Sequence, residues 1–129
     1  MKPQRVLVID DEQVICDACR MILSEQGCRV EYRLTGTAGL LAIEQGDFDL
    51  VLLDLKLPDL DGMKILKTVK QERPALPVIV MTGYATISIA VEAMKNGATD
   101  YLGKPFTDDE LMAAVENAFV NIHLKGAAS

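Results

Sequence analysis

The sequence has no tryptophan, and its three tyrosines and three phenylalanines make up only 5% of 129 residues. Aliphatic side chains must therefore fill the core of this single domain. Half of the residues are hydrophobic, and a chain of this length can bury a sizeable interior. No apolar run approaches the roughly 20 residues that span a bilayer. The opening Met1-Lys2-Pro3-Gln4-Arg5 has no signal-peptide hydrophobic region, so the expectation is a cytoplasmic protein without a membrane segment. Positive charge is scarce: 13 Lys+Arg against 19 Asp+Glu leave a net charge of −6. That argues against nucleic-acid contact, which takes a basic face. The single histidine, His123, lies far along the chain from the cysteines, so no His/Cys set supports zinc. Three cysteines are an odd number for a disulfide framework. Cys16-Asp17-Ala18-Cys19 fits the spacing of a redox pair, but Asp10, Asp11, Glu12 and Asp17 surround it with negative charge, whereas reactive pairs sit in electropositive settings. We read Cys16, Cys19 and Cys28 as packing residues.

What the chain does have is a set of apolar runs that end on reactive groups. Val6-Leu7-Val8-Ile9 leads into Asp10-Asp11-Glu12, Leu50-Val51-Leu52-Leu53 into Asp54, and Val78-Ile79-Val80-Met81 into Thr82. Asp100-Tyr101-Leu102-Gly103 leads to Lys104-Pro105. Helical spacing alternates with these runs. Strands are predicted at 5–10, 29–34, 48–54, 77–82 and 99–102. Helices follow each of them, stopped by Gly27, Gly46, Pro74 and Gly97, and Thr107-Asp108-Asp109-Glu110 is a capping box for a last helix to about His123. Five βα units imply a parallel sheet with helices on both faces. Residues 1–124 form the domain and 125–129 read as a tail, a linker start or a terminal scar. Strand order 2-1-3-4-5 puts Asp10, Asp11 and Asp54 together at the carboxyl edge, where open sheets carry their ligand sites.

Three carboxylates at adjacent strand ends repel one another unless a cation lies among them. Hard oxygen ligands with room left for water and a phosphate suit Mg²⁺. Asp54 ends the most apolar strand and is the candidate nucleophile, since a carboxylate can take a phosphoryl group as an acyl phosphate. Lys104 offers a compact positive charge, and Thr82 a hydroxyl donor, for a transfer that depends mainly on positioning and charge neutralisation. Any one of these residues alone has a plainer reading as a turn, cap or surface residue. Their joint order on successive strands does not.

Taken together, Val8-Ile9-Asp10-Asp11-Glu12, Leu53-Asp54-Leu55-Lys56-Leu57-Pro58-Asp59-Leu60-Asp61-Gly62, Met81-Thr82-Gly83-Tyr84 and Tyr101-Leu102-Gly103-Lys104-Pro105-Phe106 resemble the response-regulator receiver domains of bacterial two-component signalling over residues 4–124. The resemblance implies a flavodoxin-like fold and a phosphoacceptor switch that works by phosphorelay and is not an enzyme beyond its own phosphoryl uptake and dephosphorylation. It implies that Asp54 accepts a phosphoryl group from a histidine kinase or phosphotransfer protein. Asp11 and Asp54 would hold Mg²⁺ directly, Asp10 partly through water, and the Lys56 carbonyl would complete the protein set. Thr82 and Tyr101 would be the switch pair, and Lys104-Pro105 a cis bond. Lys56 and Tyr84 would flank the phosphoryl group and tune its hydrolysis. The fourth helix, fifth strand and fifth helix, with Ile87, Val91, Met94 and Tyr101, would face an output domain or partner and allow a homodimer on phosphorylation. Gly83-Tyr84-Ala85-Thr86-Ile87 is similar to receivers attached to AAA+ transcription activators.

Three other classes were weighed. An FMN binder needs a hydroxyl- and glycine-rich phosphate loop where Asp10-Asp11-Glu12 stands. An aspartyl-phosphate phosphohydrolase of the haloacid-dehalogenase type would carry a second Asp where Lys56 stands. A receiver-like interaction module would lack some site residues, and none is missing.

Overall fold

The computed structural model describes residues 3–83 and 86–128, with the side chains described as far as residue 120. Five strands and five helices alternate: β1 Arg5–Ile9, α1 Gln13–Glu25, β2 Arg29–Arg33, α2 Gly36–Gln45, β3 Leu50–Asp54, α3 Gly62–Glu72, β4 Val78–Thr82, α4 Ile87–Lys95, β5 Asp100–Gly103 and α5 Asp108–Ala128. All strands are parallel, in the order β2-β1-β3-β4-β5.

Side-chain alternation along the strands sorts the core into two layers. Val6, Val8, Leu50, Leu52, Ile79 and Met81 pack with α1 and α5. Leu7, Ile9, Val51, Leu53, Val78 and Val80 pack with α2, α3 and α4. Every residue of β3 and β4 is buried, which is why their sequences are continuous apolar runs rather than alternating ones.

The Thr107 capping box and the glycine stops act where the sequence placed them, and two more threonines cap helices. The Thr35 side chain accepts from Ala38 N, Thr86 from Ile89 N, and Thr107 and Glu110 form their reciprocal box at 3.1 Å each way. Gly27 and Gly97 take positive φ (90° and 98°) after α1 and α4, a region that glycine enters without steric cost. Strand ends differ from the sequence reading by one or two residues, the scatter expected at element margins: Asp10, Pro77 and Thr99 fall just outside the strands yet still share a backbone hydrogen bond with a neighbouring strand. The last helix runs through Ala128 rather than stopping near His123. Leu124, Lys125 and the two alanines favour helix, and Gly126 costs only about 1 kcal/mol. No described helix is long and apolar enough to cross a membrane.

Candidate functional site

Parallel register builds the site. Ile9 pairs with Leu53 and Asp54 with Met81, so Asp10 and Asp54 emerge side by side from the central strands. Thr82 pairs with Gly103, which places Lys104 next to the end of β4, and Lys104 N donates to Thr82 O at 2.9 Å. The Lys104–Pro105 peptide bond is cis, as the resemblance implies. Among the described residues, Asp10, Asp54 and Thr82 are the buried polar side chains, and all three are strand-end residues.

Lys104 reaches back across this edge. Its Nζ lies 2.6 Å from Asp10 Oδ2, 3.1 Å from Asp54 Oδ2 and 3.1 Å from Glu12 Oε1. One ammonium thus serves three carboxylates, and Asp11 adds a fourth. Asp10, Asp11, Glu12 and Asp54 can each bring an oxygen within 4.8 Å of all the others. Burial holds the Asp10 carboxyl above its ordinary range, an effect that the Lys104 contact only partly offsets. For Lys104 burial works the other way, yet Asp10, Asp54 and Glu12 outweigh it and raise the ammonium's pKa. Asp10 Oδ2 is fully buried, and its partner among the described residues is the Lys104 ammonium at 2.6 Å. A buried oxygen with this one ionic partner, inside an all-oxygen acidic cluster, fits a hard divalent cation such as Mg²⁺. Asp10, Asp11 and Asp54 are the residues that would hold it.

The remaining Asp54 oxygen is engaged by the loop that follows: Oδ1 accepts from Lys56 N at 3.0 Å. Lys56 forms an antiparallel bridge with Asp61, and Gly62 N donates to Leu55 O. Gly62 must be glycine here, because a Cβ would lie 2.4 Å from Leu55 Cα and 2.7 Å from Asp54 O. The Lys56 side chain is exposed and lines an open cleft of about 500 Å³ with Asp11, Asp54, Gly83 and Lys104.

Thr82 and Tyr101 share one face of the sheet. Tyr101 pairs with Val80, two residues before Thr82, and its half-buried ring packs on the α2–α4 layer. Beside them, Ile87, Val91 and Met94 stand exposed on α4. Tyr84 lies outside the described residues.

Sequence reasoning assigned no role to two groups that the structure brings in. Glu12 joins the acidic cluster and contacts Lys104, and the run Asp10-Asp11-Glu12 was its only signal. Cys16 Sγ donates to Asp10 O at 3.3 Å, a contact no spacing rule announces. Cys16 and Cys19 are fully buried and Cys28 partly so. Burial pushes the first two thiols up to about 12, in line with a packing role.

A family model for the response regulator receiver domain matches residues 6–116. The transcriptional regulatory protein ZraR of Escherichia coli O157:H7 is 39% identical over 119 residues, covering 92% of this chain and 27% of ZraR. A CheY-like response regulator receiver domain protein from Methanospirillum hungatei JF-1 superposes with a TM-score of 0.92 at 32% identity, covering 96% of this chain and 99% of the other. NtrX from Brucella abortus, in a structure with ADP, gives a TM-score of 0.92 at 35% identity over 98% of this chain and 29% of NtrX. The chain thus spans little more than a quarter of the length of ZraR.

Proposed function

The chain belongs to the response regulator receiver family, and from that premise we propose that Asp54 is its phosphoacceptor. Receivers of this family are phosphoacceptor switches of two-component signalling and act as regulatory domains. The observation that carries the residue assignment is the convergence of Asp10, Asp54 and Glu12 on one ammonium, Lys104, at the carboxyl edge of the sheet.

A carboxylate oxygen of Asp54 attacks phosphorus, a P–O bond forms, and the P–N bond of a donor phosphohistidine breaks. Its electron pair returns to the imidazole nitrogen. The chain itself holds the groups that make this attack possible. Lys56 N fixes Asp54 Oδ1, leaving Oδ2 beside Lys104 Nζ, which offsets charge on the incoming phosphoryl oxygens. Bound Mg²⁺, held by Asp10, Asp11, Asp54 and the Lys56 carbonyl, would neutralise the rest of that charge. Thr82 then donates its hydroxyl to the new phosphate and Tyr101 follows on the same face of the sheet. The phosphoryl group adds roughly −1.5 to −2 charge, and it shifts the α4-β5-α5 face only because Thr82 and Lys104 pair with it better in one state. Lys56 and, by the resemblance, Tyr84 would set how fast water removes it.

The donor is a histidine kinase or phosphotransfer protein. The recipient of the signal is an output domain or a partner, with a homodimer on phosphorylation, in the cytoplasm. A transcription-activating output of the AAA+ type is the reading for the longer protein; it is supported by the similarity to ZraR, named a transcriptional regulator, and to NtrX, whose structure holds ADP.

The test is incubation with acetyl phosphate and Mg²⁺ followed by intact mass. The wild-type chain gains one phosphoryl group, and Asp54→Asn gains none while keeping its fold by circular dichroism. Equal uptake by Asp54→Asn would assign the nucleophile elsewhere, and steady consumption of acetyl phosphate without an adduct would indicate a phosphohydrolase.

A further inference from the structure

The loop after β3 is anchored at both of its ends, by Lys56 to Asp61 and by Gly62 to Leu55. Its tip is anchored too, on a different element. Asp59 Oδ1 accepts from Gly36 N at 2.8 Å, and Oδ2 accepts from Thr37 N at 2.9 Å and from Thr37 Oγ1 at 2.7 Å. α2 already has an N-cap in Thr35, which satisfies Ala38 N. Asp59 therefore takes up the two N–H groups of the first turn that the cap leaves over. Three donors converge on a carboxylate that is otherwise exposed, and they pull it well below its usual range, to about 2.

We propose that Asp59 is a positioning residue for the phosphoacceptor site, tying the β3–α3 loop to the first turn of α2 and so holding Lys56 beside Asp54. The chain of contacts is short. Asp59 lies three residues from Lys56, whose backbone N–H fixes Asp54 Oδ1 and whose carbonyl belongs to the proposed Mg²⁺ set. Leu60, the next residue, sits against Gly36: a Cβ on that glycine would come within 3.0 Å of the leucine. The polar anchor and an apolar contact therefore fix the loop to the same point on α2. Partners one layer behind a metal ligand commonly change metal affinity about 10- to 100-fold, and a tether one step further out acts in the same direction with a smaller size. The inference rests on the phosphoacceptor reading of Asp54.

The decisive variants are Asp59→Ala, Thr37→Val and Thr37→Ser. Thr37 is on α2, outside the acidic cluster, so any effect it has on Mg²⁺ must pass through Asp59. Titration with Mg²⁺ alone, followed by NMR, should show Asp59→Ala weakened about 3- to 10-fold. Thr37→Val should be weakened less, and Thr37→Ser, which keeps the hydroxyl donor, should match wild type. With acetyl phosphate at saturating Mg²⁺, the uptake rate of Asp59→Ala should recover toward wild type. A cap with only a structural role would lower the melting temperature and leave the Mg²⁺ affinity within twofold in both Asp59→Ala and Thr37→Val, and that result overturns the inference. Uptake by Asp54→Asn would instead overturn the reading beneath it, since the Mg²⁺ titration needs no phosphoryl transfer.

Discussion

The β2 side of this sheet and its carboxyl edge handle charge in opposite ways. Along β2, Glu31 pairs at 2.8 Å with Arg5 from the start of β1 and faces Arg33 at 3.6 Å, and the paired side chains remain about two-fifths exposed, at 38% and 43%. Arg5 N also donates to Asp49, and its guanidinium stacks 4.8 Å from the Phe48 ring. Cations and anions there are balanced, and water screens them. At the carboxyl edge one ammonium contacts three carboxylates with a fourth close by, and Asp10 and Lys104 are 0% and 10% exposed. Exposed pairs of the first kind contribute roughly 0–1 kcal/mol. An unbalanced set of the second kind, with Asp10 and Asp54 buried, is costly to assemble, a cost that the proposed cation would offset.

The sharpest way to break this comparison is to remove one charged partner from each region. Lys104→Met leaves Asp10 and Asp54 buried without a counter-charge, and should lower stability by about 3 kcal/mol at neutral pH without Mg²⁺. Glu31→Gln should cost no more than about 1 kcal/mol, because its pairs are exposed. Urea unfolding of the two variants beside wild type measures both. Similar losses in the two regions would mean that the carboxyl edge is ordinary surface charge.

The sequence made this asymmetry legible in part. Asp10, Asp54, Thr82 and Lys104 follow apolar runs or an extended segment, and parallel topology carries such ends to one edge, so the site and the strand order follow from the same pattern. The glycine stops and the Thr107 capping box were equally local signals. What could not be read depends on geometry between segments far apart in the chain. Glu12 meets Lys104 across 92 residues of sequence, and Asp59 meets Thr37 across 22. Strand ends were off by a residue or two, the scatter expected at element margins. The role proposed for Tyr101 came from the resemblance alone; the register sets Tyr101, opposite Val80, on the same face as Thr82.

A smaller contrast lies within the carboxyl end itself. Burial raises the Asp10 carboxyl, whereas hydrogen bonds from Thr37 and Gly36 lower Asp59 to about 2 from 3.8. A depressed carboxyl stabilises the folded state above its unfolded pKa, and that contribution disappears as pH falls through the folded value. The Asp59 tether should therefore be intact from neutral pH down to about pH 4 and be lost between there and about pH 2. In Thr37→Val the carboxyl should titrate at higher pH, because the hydroxyl that donates to it is gone. Carboxyl chemical shifts followed by NMR test this, and an unchanged midpoint in Thr37→Val would remove the hydroxyl from the account.

The smallest expected effect concerns the thiols behind the charged edge, and it asks whether that edge is reactive beyond its carboxylates. Cys16 donates to the Asp10 carbonyl, so it lies as near the site as any apolar group can. Burial nevertheless sets both Cys16 and Cys19 to about 12, and the charge of Asp10 adds to it. At pH 8 roughly one thiol in ten thousand would be ionised at that pKa, against a substantial fraction for a free cysteine. Iodoacetamide should therefore leave Cys16 and Cys19 unmodified in the native protein and label both in guanidinium. Cys28, only partly buried, should react slowly, since burial raises its thiol as well. Rapid native labelling of Cys16, or a Cys16–Cys19 disulfide under mild oxidant, would show that the C-x-x-C spacing carries chemistry. Inertness would confine the reactive groups of this edge to oxygen and nitrogen, the set that phosphoryl transfer uses.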